Sequence, residues 1–357
     1  MLEISNVWIF SLLLTIPVGM MLCAAVFLFR SRMPVKSQAS DVSIELLVPI
    51  RNESPTLLEK LKHRIHTLQK QNSVSCTLID DGSLRAVKQI LEDETLRIIR
   101  LESGAMGSKK QALSKTIHLS KADWIITSDA DTHNRQGWID ALRLHMKPGI
   151  DFIAAPVFIA PEKRIMAQFT QCESLCFWTI ALATQFLRAP LLCSGANLAF
   201  RRQAFWDSGG YTNHVNIPSG DDVLLMHQLW KRNTKSIAYC VDKEAACFTM
   251  APENWLAWFK QRRRWISKTG HVQHPVKILF LTLIAIWLYL PFALLWYAWP
   301  WAGMMLAIET IWVVLLARFY SIAIPRFNWL LFRLTYPIVL PFVFLVRPGR
   351  WKAQSKP

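Results

Sequence analysis

The sequence predicts an α/β domain with a mostly parallel sheet, placed between apolar helices at the two ends of the chain. Short β-branched or aromatic runs alternate with segments that carry apolar residues at helical spacing, which predicts the domain. Residues 7–29 and 278–298 are uncharged and long enough to cross a bilayer, which predicts the helices. We therefore expect an N-terminal transmembrane anchor (1–36), an α/β domain (37–270) and a C-terminal transmembrane region of two or three spans (271–357).

The composition suits a membrane-embedded chain that binds anions. Of the 357 residues, 52% are hydrophobic, and the formal net charge is +16. This basic balance favours an anionic membrane surface or a phosphorylated ligand. Nucleic acid is the rival partner, and we rank it low because no nucleic-acid motif appears. The seven scattered cysteines show no metal-ligand spacing, which indicates reduced thiols in a cytosol-facing domain.

The first apolar segment is interpreted as a retained anchor. It ends in Arg30, Arg32 and Lys36, and no small-residue cleavage site stands out. The positive-inside rule then places the chain from residue 30 onward in the cytoplasm. We expect a multi-pass protein of the cell (inner) membrane with its α/β domain on the cytoplasmic side.

The C-terminal region leaves the number of spans open at three or four. Residues 302–317 are a candidate span interrupted by Glu309, which we expect to face protein or water because a carboxylate in lipid is costly. Residues 334–346 are short and contain Pro337 and Pro341, so they suit a re-entrant segment.

The α/β domain is predicted in order from its first strand. Ser54 is expected to cap a helix that has Pro55 at its first position, and the loop 104–108 opens another helix. The predicted strands are residues 43–50, 76–79, 96–101, 124–128 and 153–159.

Two further helices are predicted near the membrane. Residues 168–187 are apolar and aromatic but include Glu173, so they form either a helix on the membrane surface or an ordinary core helix. Residues 254–265 interleave Trp and Arg, a mixture typical of the lipid headgroup zone.

Two carboxylates, Asp129 and Asp131, follow the predicted strand at 124–128. Open α/β sheets bind ligands at the carboxyl ends of their strands. A divalent cation, Mg²⁺ or Mn²⁺, bridging to phosphates would relieve the repulsion between the two carboxylates. The alternative is a surface loop that caps the next helix.

Three more polar motifs accompany this pair along the chain. Each is weak alone, because Asx-Gly turns are common and a charge run is usually a solvated face. Their order on one domain is more specific. They are Asp80-Asp81 after the second strand, Gly220-Asp221-Asp222 in a predicted loop, and Gln261 to Trp265 on the aromatic helix.

With these motifs, residues 44–265 and the flanking spans resemble the membrane-bound inverting glycosyltransferases of family 2, which have a GT-A fold. The resemblance implies a nucleotide diphosphate sugar as donor, with a UDP-sugar expected. Asp131 would hold the metal and Asp129 would help to seat the nucleotide. The donor-binding residues implied in this way are Pro49, Arg51, Glu53, Asp80, Asp81, Lys109, Asp129 and Asp131.

The resemblance also implies an acceptor side and a catalytic base. Asp222 is the expected base, and the alternative is Asp221 as base with Asp222 capping the next helix. Trp265 offers its ring either to a sugar or acyl chain or to the membrane interface. The residues implied for the acceptor or diphosphate side are Gly195, Asp221, Gln261, Arg264 and Trp265. Gly195 lies in the segment 193–197, which together with 209–211 resembles the acceptor-side segment of the family, and the last three belong to the QxxRW pattern.

The chemistry expected from these residues is transfer of a sugar with inversion. Asp222 would take the proton of the acceptor hydroxyl, while a metal at Asp131 and the cation of Arg264 stabilise the leaving diphosphate. We expect a membrane lipid or a lipid-linked glycan as acceptor. The nearest rival is a processive polysaccharide synthase, for which three or four spans are few. A non-catalytic transporter or scaffold that binds nucleotide is the alternative of another class.

Overall fold

The structure is a computed structural model of the chain. The predicted loop 104–108, residues 218–219 and nearly all of the predicted span 278–298 lie outside the residues it describes. The described residues are 2–31, 41–85, 87, 91, 95–101, 109–214, 217, 220–267, 278, 281, 299–323 and 329–347.

The elements alternate between strands and helices through most of the chain. In order they are α1 (Leu2–Ser31), β1 (Ile44–Ile50), α2 (Pro55–Asn72), β2 (Ser75–Asp80), β3 (Arg97–Arg100), α3 (Lys109–Leu119), β4 (Trp124–Thr127), β5 (His133–Asn134), α4 (Trp138–Arg143), β6 (Phe152–Ala154), β7 (Val157–Ile159), α5 (Ile165–Phe186), β8 (Leu198–Arg201), α6 (Arg202–Asp207), α7 (Val223–Arg232), β9 (Ile237–Tyr239), β10 (Cys247–Thr249), α8 (Trp255–Ser267), α9 (Trp299–Phe319) and α10 (Trp329–Val339). Short 3₁₀ helices lie at Thr212–His214, Lys243–Ala245 and Leu340–Leu345.

Within the described residues, seven strands form the main sheet in the order β3-β2-β1-β4-β8-β6-β9. The first four strands in this order are parallel to one another. Strand β8 is antiparallel to both of its neighbours, and β9 pairs parallel to β6. The predicted α/β fold with a mostly parallel sheet is therefore confirmed.

Helix α2 begins as its sequence predicts. The hydroxyl of Ser54 accepts a hydrogen bond from the backbone N–H of Leu57 at 3.3 Å, and Pro55 occupies the first turn, where its missing N–H is not needed. The apolar residues at helical spacing pack under the sheet. They are Leu58, Leu61, Ile65 and Leu68.

The strand predicted at residues 153–159 is wrong as a single element. The structure divides it into β6 in the main sheet and β7 in a second sheet, which has the order β5-β10-β7. Pro156 lies at the break, and a proline has no N–H to donate to a strand partner.

Helix α5 is a core helix, which decides between the two interpretations of this segment. Most of its residues are buried, and those of its second half, from Leu175 onward, share one hydrophobic cluster with α1 and α9. Leu28 of α1, Leu182 of α5 and Leu316 of α9 lie in this cluster together with side chains of the main sheet. The terminal helices are therefore packed onto the α/β domain rather than separate from it.

The headgroup interpretation of residues 254–265 requires a correction at two positions of α8. Trp258 is fully buried, and Arg262 is 4% exposed. Both side chains face α5, where a carboxylate receives their N–H groups, so neither reaches solvent or lipid headgroups.

The membrane-spanning segments remain predictions. In the part of the chain that the structure describes, no helix is both long enough and apolar enough to count as a membrane span. The expectation for Glu309 is confirmed, because this side chain is buried and accepts a hydrogen bond from Nε of Arg333 at 2.8 Å.

Candidate active site

The predicted donor-binding residues that follow three neighbouring strands lie along one edge of the main sheet. Strands β2, β1 and β4 are adjacent and parallel, so their carboxyl ends meet at the same edge. Arg51 follows β1, Asp81 follows β2, and Asp129 follows β4. This is the edge at which open α/β sheets bind ligands.

The loops after β1 and β2 are joined to each other. Arg51 Nη1 lies 3.3 Å from Asp81 Oδ2, and the Asn52 N–H donates to the hydroxyl of Ser83 at 3.0 Å. Asn52 has a φ of 54°, a left-handed conformation that Asn tolerates better than most residues. Burial raises the pKa of Asp81, and the neighbouring Arg51 partly offsets the rise.

Asp80 is turned into the protein. Its Oδ1 accepts from the backbone N–H of Ser83 at 2.9 Å, and its Oδ2 forms an ion pair with Arg100 at 3.2 Å. The side chain is 1% exposed, so these contacts order the loop after β2. Of the two carboxylates in this motif, Asp81 is the one beside Arg51.

Pro49 and Glu53 flank the same loop. Pro49 is buried within β1, paired in register with Ile79, one residue before the strand ends. Glu53 is partly buried in the turn that leads to α2.

Lys109 connects two carboxylates that are distant in the sequence. Its Nζ lies 3.2 Å from Oδ1 of Asp129 and 3.2 Å from Oδ2 of Asp221. Burial alone would lower the pKa of this ammonium group, but the carboxylates of Asp129, Asp221 and Asp222 together raise it above its ordinary value. Lys109 is therefore a permanent cation between the two acidic motifs.

Asp222 occupies the N-cap position of α7 rather than a free loop. Its Oδ1 accepts from the N–H of Val223 at 2.7 Å, and its Oδ2 accepts from the N–H of Gly195 at 3.1 Å. The helix cap that we weighed together with Asp221 as the base is thus present. One N–H on each carboxylate oxygen fixes the orientation of the group.

Gly195 lies against this group of charges. A Cβ added at Gly195 would stand 3.4 Å from Oδ2 of Asp221 and 3.6 Å from Nζ of Lys109. The carbonyl of Gly195 accepts from the hydroxyl of Thr127 at 2.9 Å, which attaches this segment to the end of β4. The structure thus brings together Lys109, Asp129, Gly195, Asp221 and Asp222.

Asp131 is held by the second sheet. Its Oδ2 accepts from the hydroxyl of Thr249, the last residue of β10, at 3.1 Å. Burial and the adjacent charge of Asp129 raise the pKa of Asp131. A buried carboxylate beside a second negative charge fits a cation, because a positive charge would offset both the burial and the repulsion at Asp131.

The described residues contain no group of three or more His, Cys, Asp or Glu side chains arranged to hold a metal ion. A cation at Asp131 would therefore take its remaining oxygen ligands from a diphosphate and water. Mg²⁺ is bound in this way, through one or two carboxylates and the phosphates of a substrate. The residues present fit a divalent cation on these terms.

Two further cations support the site. Arg64 had no individual signal in the sequence, whereas Lys110 stands with Lys109 at the position that resembles the family's basic site before Asp129. Arg64 of α2 donates to the backbone carbonyls of Asp129 and Thr132. Lys110 is 2% exposed, and its Nζ donates to the carbonyls of His214 at 2.8 Å and Ile217 at 2.9 Å. Both donate to distant backbone carbonyls, and the tertiary structure identifies these contacts.

The three QxxRW residues lie on α8, which begins a few residues after Thr249. Arg264 is partly buried, and its Nε has no hydrogen-bond partner within the described ranges. Across those same ranges, the structure records no hydrogen bond or ion pair from Gln261, Arg264 or Trp265 to the carboxylates at the sheet edge.

The fold and this edge define an α/β domain with an acidic, cation-compensated ligand site. The model of the family described as "Glycosyl transferase family group 2" matches residues 124–336, more than half of the chain. The chain therefore belongs to this family.

A curated relative points the same way. The chain is 22% identical over 242 residues to the probable glycosyltransferase YdaM of Bacillus subtilis (strain 168). The match covers 64% of this chain and 56% of that protein, so the chain spans little more than half of the relative's length.

The fold resembles a solved structure over nearly its whole length. That structure is the mannosyltransferase PcManGT from Pyrobaculum calidifontis in complex with GDP-Man and Mn²⁺. The TM-score is 0.57 at 16% identity, with 94% of this chain and 97% of the other covered. This similarity supports the GT-A-like fold predicted from the sequence.

Proposed function

We propose that this protein is a membrane-embedded, metal-dependent inverting glycosyltransferase. It moves a sugar from a nucleotide diphosphate sugar, a UDP-sugar in the first instance, to the hydroxyl of a membrane lipid or lipid-linked glycan. Family membership supports the transferase class. Donor, acceptor, stereochemistry and membrane location are the proposed parts.

The position of Lys109 between Asp129 and Asp221 carries this proposal. An inverting transfer needs donor phosphates and an acceptor base within one site. Lys109 contacts the motif assigned to the donor and the motif assigned to the base. A cation at this point can meet the negative charge that develops on the leaving diphosphate.

A divalent cation held by Asp131, with Asp129 beside it, would neutralise charge on the diphosphate when bound. The relative PcManGT was solved with GDP-Man and Mn²⁺, which supports a nucleotide sugar and Mn²⁺ or Mg²⁺ here. Arg51 and Asp81 lie on the same sheet edge and suit the nucleoside end of the donor.

Asp222 is the proposed base. The N–H groups of Gly195 and Val223 hold its carboxylate in one orientation, which a base needs if it is to take a proton from a positioned hydroxyl. No side chain serves as a nucleophile in this scheme, so a single displacement inverts the anomeric carbon. Arg264 and Trp265 on α8 are assigned to the diphosphate and acceptor side.

Exposed apolar side chains on the terminal helices support membrane embedding. A large contiguous apolar patch on a protein surface marks a membrane or partner interaction site, and we propose that these side chains belong to one. Together with the positive-inside pattern, they support a multi-pass protein with the α/β domain on the cytoplasmic side. The most exposed are Leu22 and Phe29 of α1, Ile311 and Leu315 of α9, and Ile338, Phe342, Phe344 and Leu345 in and after α10.

The experiment is a transfer assay with the full-length protein in phosphatidylcholine vesicles that carry membrane lipids of the expressing cells. Radiolabelled UDP-glucose, UDP-galactose, UDP-N-acetylglucosamine and GDP-mannose are supplied in turn with Mn²⁺. We expect label in the organic phase as a lipid with one added sugar, abolished by EDTA.

Two outcomes would redirect the proposal. A water-soluble labelled polymer would favour the processive synthase. No label transfer and no nucleoside diphosphate release from any of the four donors would favour a non-catalytic nucleotide-binding protein.

A further inference from the structure

A buried carboxylate on α5 accepts hydrogen bonds from two side chains of α8. Glu173 is 1% exposed, and its Oε1 accepts from Arg262 Nε at 2.8 Å and from the Tyr336 hydroxyl at 3.0 Å. Its Oε2 accepts from Trp258 Nε1 at 3.2 Å and from a second nitrogen of Arg262. One side chain of α5 thus joins α8 to α10.

Arg262, which Glu173 binds, also contacts the ring of Trp265. The guanidinium carbon of Arg262 lies 4.1 Å from the centroid of the Trp265 ring, and the same guanidinium contacts Gln261. The guanidinium is planar and always charged, so a bidentate carboxylate fixes both its position and its tilt. A cation over an indole face is the favoured geometry of that contact.

A second residue of α5 contacts the same indole. The ring of Phe177 meets Trp265 edge to face, with 6.0 Å between the centroids. Phe177 lies four residues after Glu173, so both project from one side of α5. The Trp265 ring is therefore contacted by Arg262 over one face and by Phe177 in an edge-to-face geometry. Helix α5 determines both contacts, because Phe177 belongs to α5 and Arg262 is bound by Glu173 of the same helix.

We propose that Glu173 is a positioning residue for the acceptor side of the active site, which acts by fixing Arg262 and through it the indole of Trp265. The inference rests on the proposed function, since it assigns Trp265 an orientation suited to the acceptor. Arg262, although inside the QxxRW pattern, is a structural cation rather than a contact for diphosphate. Arg264, the arginine that the QxxRW pattern itself specifies, keeps its assignment to the diphosphate side.

The chain offers a matched control for the loss of a buried Glu–Arg pair. Glu309 of α9 is 3% exposed and pairs with Arg333 of α10, which is fully buried. Glu173→Gln and Glu309→Gln therefore remove the same charge from similar surroundings. In the described part of the chain Glu173 accepts hydrogen bonds from α8, whereas Glu309 accepts them from α10. A general effect of destabilisation should therefore appear in both variants.

The structural test observes Trp265 without any substrate. Full-length protein is labelled with 5-fluorotryptophan, and the ¹⁹F resonance of Trp265 is assigned by its absence in Trp265→Phe. We expect Glu173→Gln to shift or broaden this resonance and Glu309→Gln to leave it in place. An unchanged Trp265 resonance in a folded Glu173→Gln protein would overturn the inference.

The kinetic test is a double-mutant cycle in the vesicle transfer assay, using whichever of the four donors the wild-type protein accepts. We expect Glu173→Gln to lower kcat/KM for the lipid acceptor about tenfold. The affinity for the nucleoside diphosphate of that donor, measured in Mn²⁺, should be unchanged. In a protein that already carries Trp265→Ala, Glu173→Gln should change kcat/KM by less than about twofold. Effects that multiply would show that Glu173 does not act through Trp265. Absence of transfer by the wild-type protein would count against the proposed function, while the ¹⁹F result would still decide the inference.

Discussion

The ammonium group of Lys109 lies 3.2 Å from Oδ2 of Asp221 and at the same distance from Oδ1 of Asp129. This lysine opens α3, whereas its two partners follow β4 and precede α7. It is the contact through which the acidic motif at the sheet edge and the acidic motif of the proposed base belong to one site.

Replacing Lys109 by Met is expected to reduce the transfer rate about 10²–10³-fold, the usual effect of losing one preorganised donor to developing charge. Affinity for UDP with Mn²⁺ should fall as well, because Asp129 and Asp221 are left without their shared cation. Initial rates of label transfer and calorimetric titration with UDP measure the two effects. Lys121→Met, at an exposed position, is the control. Wild-type rates in Lys109→Met would contradict the assignment.

The pair Asp222→Asn and Asp221→Asn distinguishes the base from its neighbour. We expect Asp222→Asn to lower kcat about 10²–10⁴-fold, the range for loss of a general base, with UDP affinity unchanged. Asp221→Asn should instead weaken donor binding, because Lys109 loses an ion pair that holds its ammonium group in position. The measurements are kcat and UDP affinity for each variant. The reverse ranking of the two kcat values would make Asp221 the base and Asp222 its structural companion.

Asp131→Asn should stabilise the metal-free protein at neutral pH. The raised pKa of Asp131 means that the folded state binds more protons than the unfolded state, so its ionisation costs stability as pH rises above the ordinary carboxyl value of about 3.9. The variant removes that cost. Its advantage in free energy of unfolding should therefore be absent near pH 3 and grow toward pH 7.

Thermal unfolding in EDTA across this pH range measures the effect, and Asp140→Asn, an exposed carboxylate on α4, is the control. Adding Mn²⁺ with UDP should raise the Tm of the wild-type protein and not that of Asp131→Asn, because a ligand stabilises the state that binds it. Equal responses in the two proteins would remove Asp131 from the cation site.

Gly210 and Gly209 provide a matched test of packing after α6. Both have positive φ, 54° and 86°, so Ala at either position costs about 1–2 kcal/mol in backbone strain. A Cβ at Gly210 would also lie 2.8 Å from ring atoms of the buried Phe205, whereas at Gly209 the nearest atom, Gln228 Nε2, is 3.7 Å away.

Gly210→Ala should therefore lower the free energy of unfolding by about 1–3 kcal/mol more than Gly209→Ala, the added cost of overpacking. Denaturant titration of both variants measures the difference. Equal losses would mean that Phe205 moves aside without cost. Tyr211, which meets Phe205 edge to face at 5.0 Å, follows directly, so the larger loss should also disturb the predicted acceptor segment.

The sequence by itself determined the elements whose signals are local. Ser54 and Pro55 identify the start of α2, and the β-branched run before Asp129 identifies β4, because capping and strand propensity act over a few residues. The parallel order of β1, β2 and β4 then brings their ends to one edge. For this reason the positions of Arg51, Asp81 and Asp129 along that edge were predictable.

Only the tertiary structure decided which charges are partners. The cap on α7 by Asp222 was one of two sequence-based alternatives, but its second contact, the N–H of Gly195 on another segment, was not predicted. Arg262 was predicted at the headgroup zone but is buried against Glu173 of α5. These pairings depend on how α5, α7 and α8 pack, and burial makes an unpaired charge too costly to keep. Composition and spacing do not show which distant carboxylate pairs with a buried cation and thereby offsets the cost of burying its charge.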